Sequence, residues 1–77
     1  MLERRTNWQP AAWSLWRLEH DGHDVQCVIG LVPHGFQTRF LHNGKLLSEY
    51  IYPSWSGAFA LADARRVDFE TRGYQAS

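Results

Sequence analysis

The sequence predicts an α+β fold: a four-stranded antiparallel β-meander followed by one C-terminal α-helix that packs on one face of the sheet. Residues 12–52 alternate apolar and polar side chains between closely spaced turn signals. Residues 54–73 instead repeat apolar side chains at helical spacing. The 77 residues allow one domain. We expect that ββββα domain over residues 11–77, preceded by a flexible arm at residues 1–10.

Short turns set the expected strand boundaries. Asp21-Gly22 and Asn43-Gly44 both suit two-residue hairpin turns, because both central residues of such a turn adopt positive φ. Residues 32–35 read Val-Pro-His-Gly and predict a third turn. The strands are therefore expected at about residues 12–20, 23–31, 36–42 and 45–52.

The same turns predict the pairing between strands, and hence the two faces of the sheet. The predicted pairs are Leu18 with Val25, Trp16 with Cys27, Ser14 with Ile29, Leu31 with Phe36, Cys27 with Phe40, Phe40 with Leu47, and Phe36 with Ile51. The face expected under the helix then carries Trp16, Leu18, Val25, Cys27, Ile29, Leu31, Phe36, Phe40, Leu47 and Ile51. On this face, Trp16 and Phe40 are expected to be almost fully buried.

One helix cannot cover both faces of a sheet, so we expect the opposite face to be open. Its predicted residues mix aromatic, aliphatic and charged side chains. They are Trp13, Leu15, Arg17, Glu19, Asp24, Gln26, Val28, Gly30, Gln37, Arg39, Leu41, Leu46, Ser48, Tyr50 and Tyr52.

The C-terminal segment has the features of an amphipathic helix. Ser54 is a good N-cap, and Gly73 stands where a glycine ends a helix in the left-handed conformation. Arg65 and Arg66 border the apolar stripe, and we predict that one of them reaches Glu49 on the covered face. Pairing along the helix is the alternative. The apolar stripe consists of Trp55, Ala58, Phe59, Leu61, Ala62 and Phe69.

Composition narrows the classes of partner. Eight basic residues balance eight acidic ones, so no net field draws the chain to nucleic acid or to an anionic membrane. The single cysteine, Cys27, cannot form an internal disulfide. No N-terminal apolar segment and no apolar run of spanning length is present in the sequence. We therefore expect a cytoplasmic protein with no membrane partner.

Several short motifs carry a resemblance. Residues 16–22 read W-R-L-E-H-D-G, residues 62–66 read A-D-A-R-R, and residues 72–74 read R-G-Y. Together with the Asn43-Gly44 hairpin, they resemble small uncharacterised proteins that are common in proteobacteria, over roughly residues 13–74. The resemblance implies a meander followed by a helix and no known activity. The same element order occurs in single-strand nucleic-acid-binding coactivator domains, with which the chain shares topology alone.

Residues 20–24, His-Asp-Gly-His-Asp, combine the residue types that ligate metals. Zinc prefers four converging ligands, and no second pair has suitable spacing, because His34 and His42 belong to other turns. The favoured interpretation is a hairpin turn with solvated neighbours, so no metal site is predicted, although occasional metal binding by His20 and His23 stays open.

The sequence does not favour an enzyme. A nucleophilic Cys27 needs a lowered pKa and a nearby base, yet its predicted place is the middle of the covered face. The sequence contains no G-x-S-x-G elbow, phosphate-binding loop or dinucleotide fingerprint. We expect neither catalysis nor a cofactor.

The open face supplies the predicted binding residues. They are Trp13, Leu15, Arg17, Val28, Arg39, Tyr50 and Tyr52. Aromatic and arginine side chains are enriched at protein interfaces, which predicts a homodimer or another protein partner. The alternative is a single-stranded nucleic acid, which binds arginine beside stacking aromatics. Glu19 and Asp24 share this face and disfavour a polyanion.

Overall fold

The computed structural model describes residues 12–76, which form a five-stranded antiparallel sheet with one helix on one face. The α+β class is confirmed. The predicted arm at residues 1–10 lies outside the described residues. The elements are β1 Ala12–His20, β2 His23–Val32, β3 Gly35–His42, β4 Lys45–Tyr52, α1 Trp55–Thr71 and β5 Gln75–Ala76. The strands lie in the order β4-β3-β2-β1-β5, and the sequence does not predict β5.

Both predicted hairpin turns are confirmed by the backbone. Asp21, Gly22, Asn43 and Gly44 all have positive φ, between 47° and 84°. The predicted pairing holds where the strands run without interruption from a turn. Confirmed pairs are Leu18 with Val25, Trp16 with Cys27, Cys27 with Phe40, and Leu31 with Phe36.

A β-bulge in β1 corrects the prediction for its first half. Leu15 is an extra residue between the pairs of Ser14 with Val28 and Trp16 with Cys27. Because side chains alternate along a strand, one extra residue moves those beyond it to the other face. Trp13 therefore pairs with Ile29 and packs against Trp55 of the helix, with ring centroids 6.2 Å apart. The predicted pair of Ser14 with Ile29 and the placement of Trp13 and Leu15 on the open face are wrong.

A second bulge corrects the prediction for β4. Leu47 is the extra residue, because Phe40 pairs with Ser48 while Leu41 pairs with Leu46. Tyr50 and Tyr52 consequently pair with Thr38 and Phe36 and share the helix side with them, as does Ser48. The helix-free face instead receives Leu47, Glu49 and Ile51. The predicted pairs of Phe40 with Leu47 and of Phe36 with Ile51 are therefore wrong.

The core lies between the middle of the sheet and α1. Its buried apolar side chains are Leu18, Val25, Cys27, Ile29, Phe40, Ala58 and Ala62. The expected burial of Phe40 is confirmed, whereas Trp16 is only partly buried. The Trp16 indole Nε1 donates to the carbonyl oxygen of Ala62 at 3.0 Å, which holds the ring against the helix. Three residues that the sequence placed in the core, Leu31, Leu47 and Ile51, are exposed.

The ends of α1 follow the sequence prediction. The Ser54 Oγ accepts a hydrogen bond from the Gly57 backbone N–H at 3.2 Å. Gly73 follows the C-cap with φ 101°, so a left-handed residue ends the helix as expected.

One of the two helix arginines lies along the sheet, but neither reaches Glu49. The Arg65 guanidinium lies 5.2 Å from the Phe40 ring centroid and donates to the Tyr50 hydroxyl at 3.3 Å. Arg66 instead pairs along the helix with Asp63 and Glu70. The prediction for Glu49 is wrong because the β4 bulge turns that carboxylate to the helix-free face, where it pairs with Arg39.

Candidate functional site

The helix-free face of the sheet carries a patch of aliphatic side chains, which we call the sheet-face patch. Its members are Val28, Leu41, Leu46, Leu47 and Ile51. Leu46, Leu47 and Ile51 are 55%, 57% and 49% exposed. The molecule measures 44 × 28 × 17 Å, and its thickness matches one sheet layer and one helix layer. Nothing among residues 12–76 covers this patch.

Two ion pairs lie beside the sheet-face patch. The Arg17 Nε lies 2.8 Å from the Asp24 Oδ1, and the Arg39 Nε lies 3.2 Å from the Glu49 Oε1. The hydrogen bond to Asp24 raises the pKa of Arg17. Both arginines therefore already face carboxylates, and the surroundings of the patch present both signs of charge side by side.

The structure divides the seven predicted binding residues into two groups. Arg17, Val28 and Arg39 stand together on the helix-free face, as predicted. The other four, Trp13, Leu15, Tyr50 and Tyr52, lie on the helix side. There, the Tyr50 hydroxyl accepts from Arg65, and the Tyr52 ring lies beside Gly57 in the first helical turn. The two tyrosines thus help to seat α1 on the sheet.

Leu47 and Ile51 are the patch residues that the sequence prediction assigned to the wrong face. A signal for them was present in β4, where Leu46-Leu47 breaks the alternation of apolar and polar side chains. The same break occurs at Leu15-Trp16 in β1. A bulge can turn two consecutive side chains toward one face, so such a pair of large apolar residues in an alternating strand is compatible with a bulge.

A second concave surface lies between β1 and α1, and we call it the β1–α1 groove. Its volume is about 170 Å³, and it is lined by Leu15, Trp16, Phe59, Ala62, Asp63 and Arg66. Trp13, Trp55 and Phe59 form a chain of neighbouring rings beside it, with centroids 6.2 and 5.9 Å apart. All three rings are between 41% and 48% exposed.

The histidines do not assemble a metal centre. The described residues contain no group of three or more His, Cys, Asp or Glu side chains that could hold a metal ion. The His23 Nδ1 and the His42 Nε2 lie 3.1 Å apart and form a hydrogen bond with each other. The His20 ring packs on Tyr74 with centroids 5.3 Å apart.

Cys27 is enclosed by the core, next to Phe40 and Ala62. Burial raises the pKa of its thiol from 9.0 to about 12. Because nucleophilic chemistry needs the thiolate, this position disfavours reaction.

We expect Cys27 in the folded protein to resist alkylation by iodoacetamide at pH 9, where the unfolded thiol is about half ionised. Mass spectrometry of the native and urea-unfolded protein measures this. Equal alkylation rates in the two states would contradict the burial of Cys27.

The raised pKa of Cys27 also makes the stability of the protein depend on pH. Between pH 9 and 12 the folded state keeps a thiol proton that the unfolded state releases. The contribution of this group to stability is therefore intact below pH 9 and falls as the pH rises toward 12.

Within residues 12–76, no helix is both long enough and apolar enough to cross a membrane.

Comparison of the chain with protein-family models, with curated proteins and with solved structures finds no match, so the resemblance carried by its motifs stays a prediction.

Proposed function

We propose that this protein is a small protein-interaction module that self-associates as a homodimer through the sheet-face patch. The observation that supports the proposal is the exposure of Leu46, Leu47 and Ile51 on one uncovered face. Monomeric proteins rarely expose contiguous apolar patches of more than a few hundred Å², and larger patches mark interaction sites.

A second copy of the chain fits this face for two reasons. Sheets pack face to face about 10 Å apart, and the two longer dimensions of the structure, 44 and 28 Å, leave room on this side for the roughly 800 Å² per partner of a stable interface. In addition, a two-fold axis requires a self-complementary surface. The neighbouring pairs of Arg17 with Asp24 and of Arg39 with Glu49 give each copy both charges to offer the other.

The nucleic-acid alternative loses the features on which it rested. It required Arg17 and Arg39 beside Trp13, Tyr50 and Tyr52 on one open surface. The three aromatic side chains lie on the helix side, while the two arginines face carboxylates on the other side. The carboxylates of Asp24 and Glu49 beside the two arginines would repel a polyanion that binds there.

We also propose that the protein is located in the cytoplasm, because a reducing environment suits the free, buried thiol of Cys27.

The test compares Ile51→Glu with Val67→Glu. Both side chains are 49% exposed, but Val67 lies on the side of α1 away from the buried Ala58 and Ala62. We expect the wild-type protein and Val67→Glu to sediment as dimers, and Ile51→Glu to sediment as a folded monomer. Facing a carboxylate toward a second apolar sheet costs several kcal/mol, which removes the dimer. Sedimentation equilibrium across a concentration series measures the mass, and circular dichroism checks that each variant is folded.

A wild-type protein that stays monomeric at every concentration would remove the homodimer, leaving the sheet-face patch to a different protein. Loss of the dimer in Val67→Glu alone would move the interface to the outer side of α1.

A further inference from the structure

The β1–α1 groove has the size and lining to hold one large apolar side chain. An apolar cavity of about 150 Å³ binds benzene, and the groove measures about 170 Å³. The Trp16 ring forms one wall and is fixed by its hydrogen bond to the carbonyl oxygen of Ala62. Phe59 lines it from the helix side with 47% of its surface exposed. The groove therefore exists before any ligand arrives.

The strand beside the groove is an open sheet edge. Within the described residues, β5 pairs with Leu18 and Glu19 and leaves the outer edge of residues 12–17 without a partner strand. An unpaired edge presents a row of backbone N–H and C=O groups to which an extended chain can add. The pairing of β5 demonstrates that the outer edge of β1 accepts an antiparallel strand.

The bulge at Leu15 joins the edge to the groove. Bulges often protect edge strands by twisting them away from other chains. This one also turns the side chains of Leu15 and Trp16 to the same face, where both line the groove. Backbone pairing along the edge and side-chain insertion into the groove are therefore available to the same ligand.

The charge beside the groove favours a basic residue in the ligand. Arg66 donates to Asp63 at 2.6 Å and to Glu70 at 3.0 Å, so two carboxylates surround one guanidinium. The three groups together carry one net negative charge. The exposed rings of Trp13 and Trp55 nearby add surfaces on which a cation can stack.

We infer that the open edge of β1 and the β1–α1 groove together bind an extended segment of a partner protein. The segment adds antiparallel to β1, inserts one aromatic or branched aliphatic side chain into the groove, and places a lysine or arginine near Asp63 and Glu70. This surface is separate from the sheet-face patch, so the inference does not depend on the proposed homodimer.

The probe is a phage-displayed library of random decapeptides selected on the wild-type protein. We expect the selected sequences to share an aromatic or branched aliphatic residue with a basic residue close by. Synthesised with a fluorescent label, these peptides should lose affinity by at least about tenfold with Phe59→Glu and keep it with Val67→Glu. The two substituted side chains are 47% and 49% exposed on the same helix. Bound peptide should also slow amide hydrogen exchange in residues 12–17.

Four results would overturn the inference. The selected peptides could share no sequence pattern, or they could bind Phe59→Glu as tightly as the wild-type protein. Bound peptide could slow amide hydrogen exchange in β4 instead of β1, or peptide binding could be lost in Ile51→Glu. The last would place the peptide on the sheet-face patch. Loss of self-association in Phe59→Glu, with no peptide bound by the wild-type protein, would assign the groove to a second copy of the chain. A homodimer that fails its own test leaves peptide binding unaffected, so the two proposals fail separately.

Discussion

Phe40→Ala is expected to destabilise the protein by about 3–5 kcal/mol. Phe40 is fully buried in the central part of the sheet, where its ring lies 6.1 Å from Trp16 and 6.4 Å from Tyr50. Arg65 covers the same ring. The substitution removes the apolar contacts of the ring and leaves a cavity that the strands on either side prevent from closing.

The loss is large relative to the total stability. At 0.05–0.15 kcal/mol per residue, a domain of 77 residues is stable by about 4–12 kcal/mol. Urea unfolding followed by circular dichroism measures the change. Phe59→Ala is the matched control: the same ring is removed from a side chain that is 47% exposed, and the cost should stay below about 1.5 kcal/mol. Equal losses in the two variants would show that the core is not centred on Phe40.

The sequence predicted the elements of this fold whose causes are local. Asp21-Gly22 and Asn43-Gly44 determine their hairpins through backbone conformation. Ser54 and Gly73 mark the two ends of the helix through equally local causes, a side-chain cap and a left-handed backbone conformation. The two-residue strand β5 has no local cause, because Gln75 and Ala76 form a strand only by pairing with β1. A pattern of two residues cannot predict such an element.

The two bulges account for most of the errors in the predicted site. The sequence prediction assumes an uninterrupted ladder of pairs from each turn, which holds as far as Trp16 in β1 and fails beyond Leu15. In β4 the assumption fails at Leu47. Strand periodicity does not report which pairs of consecutive apolar residues form a bulge: Leu46-Leu47 does, whereas Val28-Ile29 in β2 pairs without interruption. Val28, Arg17 and Arg39 were placed correctly because no bulge separates them from the nearest turn.

The same bulges also create the two candidate interaction surfaces. The bulge in β1 brings Leu15 and Trp16 to the helix side, where they line the β1–α1 groove. The bulge in β4 delivers Leu47 and Ile51 to the helix-free face, where they enlarge the sheet-face patch. A regular meander would bury Leu47 and Ile51 under α1 and present Trp13 and the tyrosines outward. The two bulges therefore determine which side chains each face of the sheet exposes.

Gly35→Ala is expected to cost about 2–5 kcal/mol, the second large effect, through the backbone and not through lost contacts. Gly35 begins β3 with φ 144°, a conformation that residues with a side chain rarely adopt. A methyl group there would lie 3.0 Å from the Pro53 Cα and well inside contact distance of the Tyr52 carbonyl oxygen. Both obstacles are backbone atoms, so relief requires movement of the connection that leads from β4 into α1.

That movement would reach the packing of the helix. Trp55, the first residue of α1, lies 5.8 Å from Phe36 between ring centroids, so a displaced connection should loosen this contact as well. Gly30→Ala is the matched control, because its methyl group meets no heavy atom within 4 Å and its φ is not positive. It should be neutral or stabilising by up to about 1 kcal/mol. Urea unfolding measures both variants, and near-ultraviolet circular dichroism reports the tryptophan environment. If Gly35→Ala proves as stable as Gly30→Ala, the β4–α1 connection moves freely and does not fix the start of the helix.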